Sequence, residues 1–201
     1  MRVRTHVNPL TYIQRMAKIN YSEFLPESKY LDFEIGFGRG LFLKNYAKNH
    51  PDRNIIGIEI RKPVVEEVKK EFAAESESIK NVYLLHGKAE ICLEDTIDDG
   101  SLDRIFLFHP DPWVKRGHHK RRVIQTEFLN IICDKLKTDG KLFVSTDVES
   151  LWIYMEKIIN KSGKFSLQEN DNFWMEDYSS HWDIYSKKDN RATFYGTFLK
   201  K

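Results

Sequence analysis

The sequence is poor in several things at once. It has two cysteines, Cys92 and Cys133, with no CxxC and no second pair. A disulfide framework is thereby excluded and a structural zinc site has little support, so the pair reads as two reduced thiols in a cytosolic protein. Six prolines and ten glycines exclude collagen-like and low-complexity chains. No run approaches the about 18 uninterrupted apolar residues of a membrane helix. The opening MRVRTHVNPLTY is basic without an apolar stretch behind it, so it does not read as a signal peptide. An excess of one charge is lacking too: 32 Lys and Arg against 30 Asp and Glu leave a net +2.

What is present is a chain of 201 residues, 41% hydrophobic and 31% charged, the make-up of a globular fold. Short apolar runs at Leu31–Ile35, Ile55–Ile60, Val82–Leu85, Ile105–Phe108 and Leu142–Val144 alternate with helix-like stretches at Leu41–Asn49, Pro63–Ala74, Val123–Leu136 and Glu149–Lys161. The runs lack polar alternation, as strands covered on both faces do. The spacing predicts a parallel α/β sheet with helices on both sides, closed by a strand pair at Lys164–Glu169 and Ala192–Leu199. The aromatic stretch between that pair reads as an irregular loop packed on the sheet. No repeat or linker divides the chain. Residues 1–201 read as one domain, a basic segment 1–28 ahead of a core 29–201.

Basic residues come in blocks. Arg2, Arg4, Arg15 and Lys18 occupy the first 20 residues with no acid, residues 115–122 read KRGHHKRR, and Lys200 and Lys201 end the sequence. Blocks of this kind predict a side that faces a polyanion.

In open parallel sheets, ligands sit beyond the carboxyl ends of the strands. The first run leads into Glu34 and the turn Gly36-Phe-Gly38-Arg-Gly40, whose glycines let a ligand approach the backbone closely. A carboxylate in a central strand is costly without a partner, so Glu34 calls for a cationic ligand group. Glu59 ends the second run, where an acid about 20 residues beyond the glycines meets ribose hydroxyls. Two acids suit a ligand with an ammonium and a ribose and repel a pyrophosphate, which favours S-adenosylmethionine over NAD.

The fourth run enters His109-Pro-Asp111-Pro-Trp113. Prolines on both sides stiffen the presentation of one carboxylate beside an indole, suited to the N–H edge and the face of a purine. Lys115, Arg116, Lys120, Arg121 and Arg122 follow at once as candidate RNA phosphate contacts. His118 and His119 have no partners at ligand-like spacing, so no metal is expected. Nothing supports acyl transfer.

The strings FEIGFGRG (33–40), IGIEI (56–60), FHPDPWVKRGHHKRR (108–122), STD (145–147) and SKKDNR (186–191) together resemble the tRNA (guanine-N7-)-methyltransferase family. PDPW with HHKRR is the specific part. The resemblance implies a Rossmann-like class I methyltransferase fold, a seven-stranded sheet whose last strand is antiparallel. It implies S-adenosylmethionine as donor and a guanine in the tRNA variable loop as acceptor. By resemblance, Glu34, Glu59 and Asp111 are cofactor-binding, with Asp111 also catalytic. Lys115 and Asp147 match substrate positions, as do Ser186, Lys187, Lys188, Asp189 and Arg191, with Lys188 where the family has an aromatic. Lys88 stands where the family places Asp or Asn on the adenine, leaving that contact to Glu90 or a backbone amide, or the adenine more loosely held. The N-terminal region is short beside many members, which implies no accessory RNA-binding arm.

A guanine turned out of the tRNA would land on Trp113 or an aromatic of segment 173–185. Monomer and homodimer both remain open. Two rivals stand beside this reading: a methyltransferase for exocyclic amines of nucleic acid or protein, and a nucleotide- or RNA-binding module without catalysis. An NAD oxidoreductase lacks a catalytic Tyr/Lys or His pair.

Overall fold

The strands are β1 (Tyr30–Ile35), β2 (Arg53–Glu59), β3 (Val82–His86), β4 (Leu102–Phe108), β5 (Leu136–Thr146), β6 (Phe165–Gln168) and β7 (Phe194–Lys200). They form one sheet in the order β3-β2-β1-β4-β5-β7-β6. The computed structural model describes residues 8–75 and 79–201, so Arg2 and Arg4 lie outside the described residues. β1 pairs in parallel with β2 on one side and β4 on the other, which makes it central. β7 slots between β5 and β6 and runs antiparallel to both. The seven-stranded, mostly parallel sheet with a reversed last strand is as expected.

The helices are α1 (Leu41–Asn49), α2 (Lys62–Ala74), α3 (Ala89–Thr96), α4 (Thr126–Lys135), α5 (Glu149–Lys161), α6 (Phe173–Glu176) and α7 (His181–Lys188). Along β1 the side chains alternate between two cores. Phe33 and Ile35 join Ile56, Ile58 and Leu107 against Cys92, Phe128, Ile132, Leu151 and Met155 of α3, α4 and α5. On the opposite face, Ile55, Phe106 and Phe143 pack on Phe42 and Leu43 of α1, Val65 and Val68 of α2 and Phe173 of α6. Every residue of β2 is buried, which explains its unbroken apolar run.

Three elements differ from the sequence expectation. α3 buries residues on nearly all its sides, so no amphipathic stripe announces it. β5 begins six residues early, at Leu136, and α4 is shorter to match. The aromatic stretch carries α6 and α7, the latter started by the Ser180 hydroxyl accepting from the Asp183 N–H at 2.9 Å.

Two of the basic blocks serve the fold. Arg15 bridges Glu94 and Asp95, Lys18 pairs with Asp98, and the Met16 N–H donates to Asp95 Oδ2 at 2.7 Å. These contacts lay the N-terminal segment along α3. Lys200 donates to the carbonyls of Cys133 and Leu136 at 2.6 and 2.7 Å, capping the C-terminal end of α4. These three cations are thus engaged within the fold, although Arg15 and Lys18 stay exposed.

Candidate active site

The ends of β1, β2, β4 and β5 carry the acids, and the glycine turn lies beside them. Gly36 and Gly38 adopt positive φ, and a Cβ on Gly36 would meet nothing within 4 Å. That space suits a ligand. Gly40 has a different reason: its Cβ would stand 2.7 Å from Val68 Cγ1, so only glycine lets α1 start against α2.

Glu34 is buried, and its Oε2 has no hydrogen-bond partner among the described residues. Burial first, then the nearby Glu59 charge, pushes its carboxyl well above the usual range. Glu59 is also buried but fully engaged. It accepts from the Gly38 N–H at 3.2 Å, the Arg61 N–H at 3.0 Å, and Arg61 Nε and a terminal guanidinium nitrogen at 3.0 and 2.9 Å. Arg61 also interacts electrostatically with Asp111, and Glu34 with Glu59, so the three acids share one edge of the sheet. Sequence reasoning missed Arg61. A cation two positions after Glu59 was its only signal.

Asp111 is exposed between its two prolines. The backbone around it is strained: His109 and Trp113 have φ of +45° and +42°, unusual for residues with a side chain. The His109 ring is pinned, with Nε2 2.7 Å from the Tyr178 hydroxyl and Nδ1 3.4 Å from Asp147 Oδ1. Burial pulls its pKa below 6.5.

Asp147 is a hub rather than an open acid. It accepts from Trp182 Nε1 at 3.2 Å, from the Ser186 hydroxyl at 3.1 Å, and from Arg191. Ser186 is fully buried, whereas Lys187 pairs with Asp183, Asp189 pairs with Arg191, and Lys188 is exposed. Within segment 186–191, Ser186 and Arg191 thus gather on Asp147, with Asp189 behind Arg191, while Lys187 and Lys188 do not contact it.

The basic run forms a 3-10 turn over Arg116–Arg121. Lys115, Arg116 and Lys120 are exposed, and the Arg121 guanidinium lies 5.0 Å from the Trp113 ring centroid. Arg122 departs from the phosphate-contact expectation: it is buried, its Nε donates to the Pro112 carbonyl at 3.0 Å, and its guanidinium covers Tyr154. It braces the PDPW turn. Lys88 pairs with Glu90 at 3.2 Å at the end of β3. Among the described residues, no group of three or more His, Cys, Asp or Glu is placed to hold a metal ion. Nor is any helix among them long and apolar enough to cross a membrane.

Residues 28–199 match the family model described as "Putative methyltransferase". The tRNA (guanine-N(7)-)-methyltransferase of Prochlorococcus marinus (strain MIT 9215) is 35% identical, over 96% of this chain and 92% of its own length. That of Shewanella sp. (strain W3-18-1) is 38% identical over 77% of this chain, and the chain spans 64% of that relative. Among solved structures, the 16S rRNA methyltransferase KamB aligns with a TM-score of 0.67 at 13% identity, over 95% of this chain and 97% of its own. A 30S ribosomal A1408 methyltransferase from an uncultured bacterium gives 0.62 at 19% identity, over 95% and 97%. These likenesses establish the class I methyltransferase fold. With its fold, its strand-end acids and relatives matched along nearly the whole chain, the protein belongs to the tRNA (guanine-N7-)-methyltransferase family.

Proposed function

We propose that this chain transfers a methyl group from S-adenosylmethionine to N7 of a guanine in the tRNA variable loop, in the cytoplasm. The observation that carries the reading is Glu34: a buried carboxylate with an unpartnered oxygen, beside a glycine turn with open space. An uncompensated carboxylate in a low-dielectric site calls for a cation. The ammonium of the donor's methionine part has the right charge, and its ribose hydroxyls suit Glu59. Lys88 and Glu90 offer one donor and one acceptor to the purine edge. When bound, the donor supplies an electrophilic methyl on a positively charged sulfur.

The rest falls to the protein's own residues. Guanine N7 has an exposed lone pair and no proton, so no general base is required. What remains is alignment and accommodation of positive charge on the purine. Asp111, rigid between its prolines, accepts from the guanine ring N–H and exocyclic amine, an interaction that strengthens as the ring becomes cationic. Lys115, Arg116, Lys120 and Arg121 hold phosphates. Asp147, Ser186, Asp189 and Arg191 act on the substrate by fixing α7 at the rim.

The test is direct. The pure protein is incubated with methyl-labelled donor and unmodified tRNA transcript, and the RNA is digested and analysed by mass. Label in 7-methylguanine at the variable loop is the expected result. Label in methylated adenine, or in protein, favours the amino-methyltransferase rival, and donor binding without transfer favours the non-catalytic one.

A further inference from the structure

Trp182 combines two properties that rarely meet in one side chain. It is 47% exposed, and it is held rigidly. Its Nε1 donates to Asp147 Oδ1 at 3.2 Å, and the Arg191 guanidinium lies 5.4 Å from its ring centroid. Asp147 is itself fixed by Ser186 and Arg191, so the indole rests on a buried anchor. Its nitrogen is taken by Asp147, while nearly half of its surface stays open to solvent.

The place is informative too. Asp147 follows β5 and His109 follows β4, paired neighbours in the sheet whose side chains meet at 3.4 Å. His109 is two residues from Asp111, which puts the indole on the edge that carries this acid. Of the other aromatics nearby, Tyr185 is 45% exposed with the His181 ring edge-on to it at 4.9 Å, and the rest are engaged. Trp113 has the His118 ring edge-on at 5.9 Å and Arg121 over it, while Phe173 is buried and the Tyr178 hydroxyl bonds His109 and Ser145.

We propose that Trp182 is the platform on which the acceptor guanine stacks once it leaves the tRNA. This inference rests on the methyl-transfer reading above. Ordering the ring is already accomplished by the fold, so a base landing on it loses little further entropy. Stacking tolerates any base, so the platform supplies binding while Asp111 supplies the choice of guanine. As N7 gains its methyl group the purine becomes a cation, and an indole face attracts cations. The contact therefore strengthens toward the transition state.

The experiment compares wild type, W182F and W182A in three measurements: methylation kinetics on tRNA transcript, S-adenosylhomocysteine binding by calorimetry, and emission of 2-aminopurine placed at the acceptor position. Stacking on an aromatic quenches that emission. W182A is expected to lower kcat/KM for tRNA roughly 5- to 100-fold and to abolish the quenching, with S-adenosylhomocysteine affinity unchanged. W182F, which keeps a ring and loses the bond to Asp147, is expected to retain most of both. Wild-type kinetics and quenching in W182A overturn the proposal. So does a W182F that fails as badly as W182A, since the indole would then serve only to hold Asp147. If W182A loses S-adenosylhomocysteine binding, the phenylalanine variant decides alone. A wild-type protein that methylates no tRNA overturns the methyl-transfer reading itself, a result visible without either variant.

Discussion

Asp32 and Glu34 stand two positions apart on the same face of β1, and the protein treats them oppositely. Asp32 is fully buried and fully answered: Arg53 reaches both its oxygens, at 2.7 and 2.6 Å, and the Tyr46 hydroxyl donates at 2.8 Å. Glu34, one pleat nearer the glycine turn, faces the like charge of Glu59, and its Oε2 has no partner among the described residues. A chain able to place an arginine on one buried acid and not on the next leaves the second for a ligand. Structural need explains Asp32, and function explains Glu34.

Replacing Glu34 by Gln is therefore expected to stabilise the protein and weaken the donor. An unfolded Glu titrates near 4.5 and the folded one well above it, so the folded state binds the extra proton in between. Stability accordingly falls as pH rises from that lower value through the folded pKa. E34Q removes this slope and raises the melting temperature at neutral pH by a few degrees, an increase of about 1 kcal/mol. Affinity for S-adenosylmethionine drops about tenfold or more, the worth of a charged hydrogen bond. Undiminished affinity in E34Q would dismiss Glu34 as the partner of the cation.

Asp111→Asn tests the charge of the rigid acid with its shape kept. The amide presents one acceptor and a donor that opposes the guanine amine, and it cannot answer a cationic ring. Turnover on tRNA is expected to fall about 10²–10³-fold, the loss typical of one preorganised electrostatic partner. S-adenosylhomocysteine binding, measured by calorimetry, should change far less. Full turnover in D111N would remove Asp111 from its place at the base.

The sheet and the acids at its edge were legible because both depend on local patterns. Runs such as Ile105-Phe106-Leu107-Phe108 carry the signature of a strand buried on both faces, and PDPW fixes a backbone wherever it occurs. What escaped is set by tertiary contact. Arg122 looks like its exposed neighbours in sequence, yet the Pro112 carbonyl and the Tyr154 ring claim it. Arg15 and Lys18 read as a free basic face until α3, invisible for lack of an amphipathic stripe, supplies Glu94 and Asp95, and the residues just after it supply Asp98. The Asp147 hub draws on residues up to 44 positions away, a separation no local pattern encodes.

The basic run separates into two kinds of residue, and salt tells them apart. Removing the charge of Lys115, Arg116 or Lys120 should weaken tRNA binding and lower the slope of log affinity against log salt by about 1 for each. Arg122→Gln should leave that slope unchanged. Its cost appears in the fold, about 1 kcal/mol for the part-buried Pro112 carbonyl losing its donor, read as a lower melting temperature. Filter-binding titrations across a salt series, paired with thermal melts, decide each case. An Arg122 variant that flattens the salt slope and melts normally would return it to the phosphate contacts.

Acid should loosen the α7 rim in a defined order. Burial depresses the His109 pKa below 6.5, so the unfolded state takes up its proton first as pH falls. Stability attached to a neutral His109 is thus lost as pH drops below 6.5, with a slope of at most ~1.4 kcal/mol per pH unit for one proton. Asp147 follows at lower pH. Burial raises its pKa, but donation from Trp182 and the neighbouring His109 and Ser186 outweigh burial and hold it below the usual 3.8. Its contribution is present above that value and fades as pH falls through the folded pKa. His109→Asn isolates the first step, since Asn tolerates the positive φ at this position. Hydrogen exchange over residues 181–188 should speed up in wild type from pH 6.5 downward, beyond the intrinsic pH effect on exchange. In H109N that onset should move to the carboxylate range. If both proteins open at the same pH, His109 is not the group that couples the rim to protons, and Asp147 alone carries the acid response.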